Sequence, residues 1–501
     1  ALYRHDITPP PAPIETIPPE LLDDIFRRVY EDHKAFPPLE FFERFLSYPE
    51  TENIDELDLQ NADTERAIAE DRREVSTFVT IQPNIFYTAV MPNLFPPTWE
   101  AVLSSCPEYW TRLVLFIGAD STPVEQAQRY IEWSCGLPID VFILNKNPGG
   151  RWSPNRMGEK ETLSAFIQLL QPHMERCRSF HIEVFMHSSL PTLDFISDRA
   201  TLLRSLYMLP IIGNLDDWDM ETEVDQVQTD PVTMTIDGRT FLQALNNPPP
   251  WFTYQPQLRH LHIEGFRYEH LRLPLSATLA HISAKMNRTL VSLSLSRIPF
   301  KIDTKSLEAD LYTLENLNYL SLKSLQPSGI SELFRLTHLP ELMILKFQHC
   351  FGIQSDIFQH IDTNVPVLIF HGYAPHADMI PLLSGWEGYI LCLTNSQTPF
   401  DLLIEAFSTT TEAEAEDGMG AVMCSSMQKL ILERCPSPSF GVVKKMIETR
   451  NRRVNYDDPD WKVQDYDAPA ILTLAFDKCE PRWTTEEIKW VKERVVEFDW
   501  T

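Results

Sequence analysis

At least ten times along this 501-residue chain an apolar residue is followed three positions later by a second, and two positions after that by a third. The clearest copies are Leu258, Leu261, Ile263; Leu290, Leu293, Leu295; Leu317, Leu320, Leu322; Leu342, Leu345, Phe347; and Val365, Leu368, Phe370. Earlier ones are Trp110, Leu113, Leu115; Cys177, Phe180, Ile182; and Leu203, Leu206, Met208, and later ones are Met427, Leu430, Leu432 and Ile471, Leu474, Phe476. Residues two apart on a strand point to the same face, so the last two members of each triplet line one side of a short strand. The first member lies at the strand entrance. A single such strand cannot bury its apolar face, whereas parallel strands from successive copies merge theirs into one core.

The middle leucines at 261, 293, 320, 345 and 368 are 32, 27, 25 and 23 residues apart. Leucine-rich repeats run ~20–29 residues, so the central block fits and the outer copies are irregular. A doubly wound domain also alternates strand and helix, but the triplet register in consecutive copies favours the array. The expected fold class is α/β: an irregular leucine-rich-repeat solenoid, with parallel strands on the concave face and helices or turns on the convex face. Segments 304–314 and 331–336 suit the convex return. The array is expected over 111–480, interrupted by acidic loops at 216–230 and 408–420, after a Pro-rich tail at 1–14 and an acidic insertion at about 31–74. At the C-terminus, Thr484 and Glu487 form a capping-box pattern, and Ile488, Val491, Val495 and Phe498 make a stripe that predicts a capping helix over 481–501.

Charge excludes some partners. Lys plus Arg number 43 against 71 Asp plus Glu, a formal charge of −28 that repels phosphate backbones and anionic lipids; neither nucleic acid nor membrane is an expected partner. No apolar run reaches the ~18 residues of a transmembrane helix. The eight cysteines show no zinc-knuckle spacing and read as buried free thiols in a reducing compartment, cytoplasm or nucleus. With 16 glycines, and with no GxSxG, HExxH, Walker A or GxGxxG pattern, the chain offers no catalytic residues, and no cofactor is expected.

His260 and His262 share one strand face with Glu264, a metal-like spacing, but they read as polar residues on an exposed face, and no metal is expected. The better surface is the set of outward positions across successive strands. One column is His260, Ser292, Tyr319, Ile344, Val367; the next is His262, Ser294, Ser321, Lys346, Ile369; the third is Glu264, Ser296, Lys323, Gln348, His371. The partner-binding residues expected from it are His260, His262, Tyr319, Ser321, Lys323, Ile344, Lys346, Gln348 and His371. Such a groove suits an extended peptide or a partner loop.

The segment Ile17, Pro18, Pro19, Glu20, Leu21, Leu22, Asp23, Asp24, Ile25, Phe26 resembles the opening of an F-box, LPPELLxxIF. The stretch from Trp99 to Leu113, with Trp110 in a Trp-Thr-Arg-Leu run, resembles the end of that motif. The chain as a whole resembles the F-box/leucine-rich-repeat proteins numerous in fungi. The resemblance implies a small helical F-box-like region over 15–110 ahead of the solenoid. It also implies a non-enzymatic substrate-recognition subunit of a Skp–cullin–F-box ubiquitin ligase. Its partners would be a Skp-type adaptor with its cullin, and an unidentified protein substrate. Ile17, Pro18, Leu21, Leu22, Ile25, Phe26, Trp99 and Trp110 would meet the adaptor. The alternative is a stand-alone acidic repeat scaffold with no ligase association.

Overall fold

The computed structural model describes residues 97–118, 121–145, 158–184, 187–196, 200–210, 232–248, 258–265, 272–302, 311–353, 355–361, 364–372, 379–396, 400–408, 423–452, 454, 456, 470–480 and 482–500. The tail, the 17–26 motif, the acidic insertion and the acidic stretches at 216–230 and 409–420 lie outside the described residues. The chain divides into two compact units, Ala1–Asp230 and Pro231–Thr501. The sequence reading set no boundary inside 111–480; the division falls at the end of the acidic 216–230 stretch.

Among its described residues the first unit carries four parallel strands in chain order: β1 (Arg112–Ile117), β2 (Ile139–Asn145), β3 (Cys177–Val184) and β4 (Ser205–Pro210). Helix α1 (Pro97–Ser105) precedes β1, α2 (Val124–Trp133) links β1 to β2, and α3 (Glu159–Leu170) lies between β2 and β3. Arg176 pins the turn after α2: its guanidinium donates to the Ser134 hydroxyl at 2.7 Å and to the carbonyls of Leu137 and Ile131 at 2.9 and 3.0 Å. Ile131 lies in the last turn of α2, where carbonyls lack intrahelical partners; its oxygen accepts from both the arginine and the Ser134 hydroxyl.

Among its described residues the second unit carries ten parallel strands, again in chain order. They are β5 (Val232–Asp237), β6 (Leu258–Glu264), β7 (Ser292–Ser296), β8 (Tyr319–Lys323), β9 (Ile344–Gln348), β10 (Val367–His371), β11 (Ile390–Thr394), β12 (Lys429–Glu433), β13 (Thr473–Asp477) and β14 (Glu497–Trp500). The return path holds α4 (Gly238–Asn246), α5 (Leu275–Met286), α6 (Pro327–Leu336), α7 (Met379–Leu383), α8 (Asp401–Ala406), α9 (Phe440–Arg450) and α10 (Thr485–Lys492). Parallel strands require such crossovers. The fold is the expected α/β repeat array.

The register is what the triplets demand. Leu261 lies opposite Leu293, and the column continues through Leu320, Leu345, Leu368, Leu391, Leu430 and Leu474 to Phe498. All ten triplets place their last two members in a strand with inward faces buried. Each fully buried leucine contributes roughly 1.5–3 kcal/mol, and the stack is the core. Strands β2, β5, β11 and β14 escape the pattern search. In β11 the entrance position is Gly388, where a side chain would collide with the Val365 carbonyl and the Trp386 ring. Trp386 is itself buried, and its Nε1 donates to that carbonyl at 2.8 Å. An indole from the preceding turn therefore stands in for the missing leucine.

Strand β14 corrects the expected C-terminal helix. The helix stops at Lys492, and the chain returns as a strand with Phe498 opposite Leu474 and Trp500 opposite Phe476. Val495, Phe498 and Trp500 are one more triplet, which the i, i+4 spacing of Val491 and Val495 made look helical. The capping box is present: the Thr484 hydroxyl accepts from the Glu487 amide, and the Glu487 carboxylate accepts from the Thr484 amide.

The residue after each strand from β7 to β13 is left-handed. Arg297, Ser324, His349, Asn395, Arg434 and Lys478 have φ near +50°, and Gly372 has φ +59°. The turn aims each amide at the next strand: Arg297 N–H donates to Lys323 O at 2.7 Å, Ser324 to Gln348 at 2.7 Å, His349 to His371 at 3.0 Å, Gly372 to Thr394 at 2.9 Å and Asn395 to Glu433 at 3.0 Å. The ladder is thus extended one residue past each strand, at a cost of about 1–2 kcal/mol for each left-handed non-glycine residue. Gly372 has a second reason: a methyl there would collide with the His349 ring. Ser324→Gly should raise the unfolding free energy by about 1 kcal/mol, whereas Gly372→Ala should lower it by more than that, both read from urea melts.

Candidate functional site

With the leucine columns committed to the core, the alternate residues of every strand form an outer face. In the second unit the register aligns Tyr319, Ile344, Val367 and Ile390 in one column, and Ser321, Lys346, Ile369, Cys392 and Ile431 in the next. The third column reads Lys323, Gln348, His371, Thr394 and Glu433. The columns read from the sequence are reproduced residue for residue. Tyr319, Ile344, Val367, Ile369 and Ile390 are half-buried, while Ser321, Lys323, Lys346, Gln348 and His371 are more than nine-tenths buried. The aliphatic side chains therefore form the accessible stripe, and the polar ones form a floor beside it.

His371 organises that floor. Its Nδ1 lies 2.7 Å from the Thr394 hydroxyl, and the Asn395 side-chain amide donates to its Nε2 at 3.2 Å. Since Nε2 accepts, the imidazole is neutral and its proton sits on Nδ1, directed at Thr394; the Thr394 hydroxyl in turn faces the Phe370 carbonyl at 3.5 Å. Burial depresses the His371 pKa to about 3, and the positive charges of Lys346, His349, Lys323 and Arg434 push the same way. The outward positions of β7 to β11 hold no Asp or Glu, on a chain of charge −28.

The other end of the face is built differently. Glu264 ion-pairs with Arg297, and His262 Nε2 stands 3.5 Å from its other oxygen, too long and misaligned for a good hydrogen bond. Burial alone raises the Glu264 pKa, but His262 and the Arg297 guanidinium outweigh it and hold the carboxyl at about 2. His260 is half-buried, with its pKa lowered by burial and then by Arg259. Among the described residues no cluster of three or more His, Cys, Asp or Glu side chains is placed to hold a metal ion. His260 and His262 are thus brought to one face, as read from the sequence, with Glu264 engaged by an arginine.

Of the adaptor-facing residues, Ile17, Pro18, Leu21, Leu22, Ile25 and Phe26 lie outside the described residues. Trp99 falls within α1, and its side chain is outside the description. Trp110 is fully buried: its Nε1 donates to Leu103 O at 2.7 Å, and its ring stacks on Tyr130 at 4.8 Å. Its place in the fold is the junction of α1, α2 and the start of β1, so it sets the path of the chain into the first strand.

Two features were missed in the sequence. In the first unit, Val114, Phe116, Phe142 and Leu144 make a buried apolar cluster on the outer face, and His181 stacks flat on Tyr207 at 4.0 Å with its Nε2 2.9 Å from Glu183. The signal was the unbroken apolar runs of β1 and β2, the mark of strands buried on both faces. The second is a cysteine position three residues after the last triplet member. The thiols of Cys350, Cys435 and Cys479 donate to Leu322, Leu393 and Leu432 carbonyls at 3.2–3.4 Å.

No family model matches the chain, and no curated protein matches it. Among solved structures, the crystal structure of the Rad7 and Elc1 complex from yeast is similar, with 11% identity, a TM-score of 0.27, and coverage of 87% of this chain and 96% of that one. The fold assignment above rests on the strand pairings and the buried triplets.

The buried thiols yield one prediction. Burial lifts Cys350 to about 11 and Cys435 to about 12, and raises Cys479. Iodoacetamide on the native protein should modify exposed Cys135 first and reach Cys350, Cys435 and Cys479 only on unfolding, as read by peptide mass spectrometry. The Glu264 pair yields another. Because its carboxyl is held low, its stabilising contribution is complete above the ordinary range near pH ~4.3 and is lost as pH falls through about 2. Arg297→Met should cost on the order of 3 kcal/mol at neutral pH. The gap from wild type in urea melts should narrow as pH drops from about 5 to about 2.

Proposed function

We propose that this protein is a non-enzymatic recognition subunit that selects a protein partner through the outer face of its repeat array and presents it to a Skp–cullin–F-box ubiquitin ligase. The observation that carries the recognition half is the in-register set of outward columns: half-buried Tyr319, Ile344, Val367, Ile369 and Ile390 beside a polar floor. A broad strand-built face of this kind grips a polypeptide segment across several repeats at once. A reaction centre has a different build, with a nucleophile, a base and an oxyanion site converging within hydrogen-bond reach.

The ligase half is supported by residues 17–26, whose order of apolar and acidic residues resembles the F-box opening. Leu21, Leu22, Ile25 and Phe26 fall at helical spacing, and an amphipathic helix of that kind docks by laying its apolar stripe into a partner groove. A cytoplasmic or nuclear location belongs to the same reading.

The test is co-purification with a Skp-type adaptor. Wild-type protein should retain the adaptor, and Leu21→Asp combined with Ile25→Asp should lose it while keeping the same melting profile. Equal recovery with both proteins, or none with wild type, contradicts the ligase half and leaves a stand-alone repeat scaffold.

A further inference from the structure

Strand β14 pairs with β13 on one side, and among the described residues no strand pairs with its other edge. In a parallel pair, alternate residues turn their backbone N–H and C=O groups to opposite neighbours. The Glu497 amide donates to Leu472 O at 3.1 Å, so Glu497 and Asp499 bond back to β13, and the backbone groups of Phe498 and Trp500 face the free edge. Burial shows the same opening. Leu474 and Phe476 are fully buried, whereas Phe498 and Trp500, which hold the same positions one strand on, are only half-buried. Val496, at the entrance to β14, is 36% exposed.

The edge is straight and its inward rings are held in place. Strand β14 pairs with β13 without a bulge and contains no proline or lysine, features that blunt an exposed edge. Trp483 meets the Trp500 ring edge-on at 4.9 Å and lies parallel to Phe498 at 6.3 Å, and Phe476 meets Trp500 edge-on at 5.1 Å. The outward side is acidic. Glu497 and Asp499 are exposed, and among the described residues neither has an ion-pair partner. The outward positions beside them are Thr473, Ala475 and Asp477 on β13, then Lys429, Ile431 and Glu433 on β12. The nearby cations are placed elsewhere: Lys478 lies 4.0 Å from Asp477, Arg494 lies 3.6 Å from Glu493, and Lys429 is two strands, about 10 Å, from Glu497.

We infer that the free edge of β14 takes up a strand of another protein in which basic residues alternate with aliphatic ones. The added main chain pairs with Phe498 and Trp500, the aliphatic side chains cover their half-buried rings, and the basic side chains lie beside Glu497 and Asp499. Strand addition of this kind draws affinity from main-chain hydrogen bonds and selectivity from alternate side chains. Opposite charges side by side on neighbouring strands are favourable, and like charges are unfavourable. The same rule makes a second copy of this chain the wrong occupant. Two β14 strands paired antiparallel about Phe498 set Glu497 against Asp499, and paired about Asp499 they set that carboxylate against itself. This edge is distinct from the outward columns of β8 to β11, and the inference stands apart from the ligase reading.

The test uses the full chain and fluorescein-labelled eight-residue peptides with blocked ends, one alternating valine with lysine and one alternating valine with glutamate. Fluorescence polarisation should show the lysine peptide binding about tenfold or more tighter, with the preference shrinking as salt rises. Glu497→Lys combined with Asp499→Lys changes only exposed side chains and should reverse the preference, although the chain as a whole stays acidic. Circular dichroism melts confirm that the variant is folded. Two further lysine peptides carry N-methyl groups on alternate amides, one on the valines and the other on the lysines. An added strand presents only one of these sets to β14, so one methylated peptide should bind and the other should fail. Equal binding of the lysine and glutamate peptides, no binding of the lysine peptide, indifference to the double substitution, or equal behaviour of the two methylated peptides overturns the inference. So does a wild-type dimer in sedimentation that the lysine peptide dissociates, because the edge is then occupied by a second copy.

Discussion

The structure depends on the in-phase pairing of neighbouring parallel strands, closed at one end by an amide that donates past the strand. Each triplet places two buried side chains in its strand, and that strand is only about five residues long. Alone, such a strand is unstable. The left-handed residue at its end adds one more backbone hydrogen bond to the next strand, and Arg297, Ser324, His349, Asn395 and Arg434 repeat this across the second unit. The strain at these positions is small beside the leucine core it keeps in register. A slip of one residue would turn every leucine to the outer face, so the core and the ladder enforce the same register.

That constraint also creates the surface. Once the leucines face inward, alternation fixes which residues face outward, and in-phase pairing gathers them into columns. Selection can change a column position without touching the core. The outward columns from Tyr319 to Ile431 can therefore vary while the leucine core stays fixed. The thiols of Cys350, Cys435 and Cys479 belong to the scaffold: they supply donors to carbonyls at the turn and are kept protonated by burial.

Much of this was legible in the sequence because period-two alternation is a local signal. The inward set and the three outward columns follow from the triplets alone. Where the triplet is broken, the sequence misleads. Gly388 hides β11 because the indole of Trp386 replaces a leucine from outside the pattern, and Val491 with Val495 mimics a helix across the turn into β14. The depth of the outer floor was not legible either. Alternation places Lys346 outward, but its burial depends on side chains of neighbouring strands that are distant in sequence. Trp110 reads as a motif residue, yet Leu103 and Tyr130 together place it in the core, which is a matter of tertiary packing. The role of Cys350, Cys435 and Cys479 was readable, since each falls three residues after the last triplet member.

Native-state hydrogen exchange on the full chain tests the central claim most directly. If the ladder truly runs one residue past each strand, the amides of Ser324, His349, Asn395 and Arg434 exchange as slowly as those inside their own strands and respond to denaturant together with them. Exchange of these amides at the rate of exposed turns, with the strand interiors still protected, would contradict it.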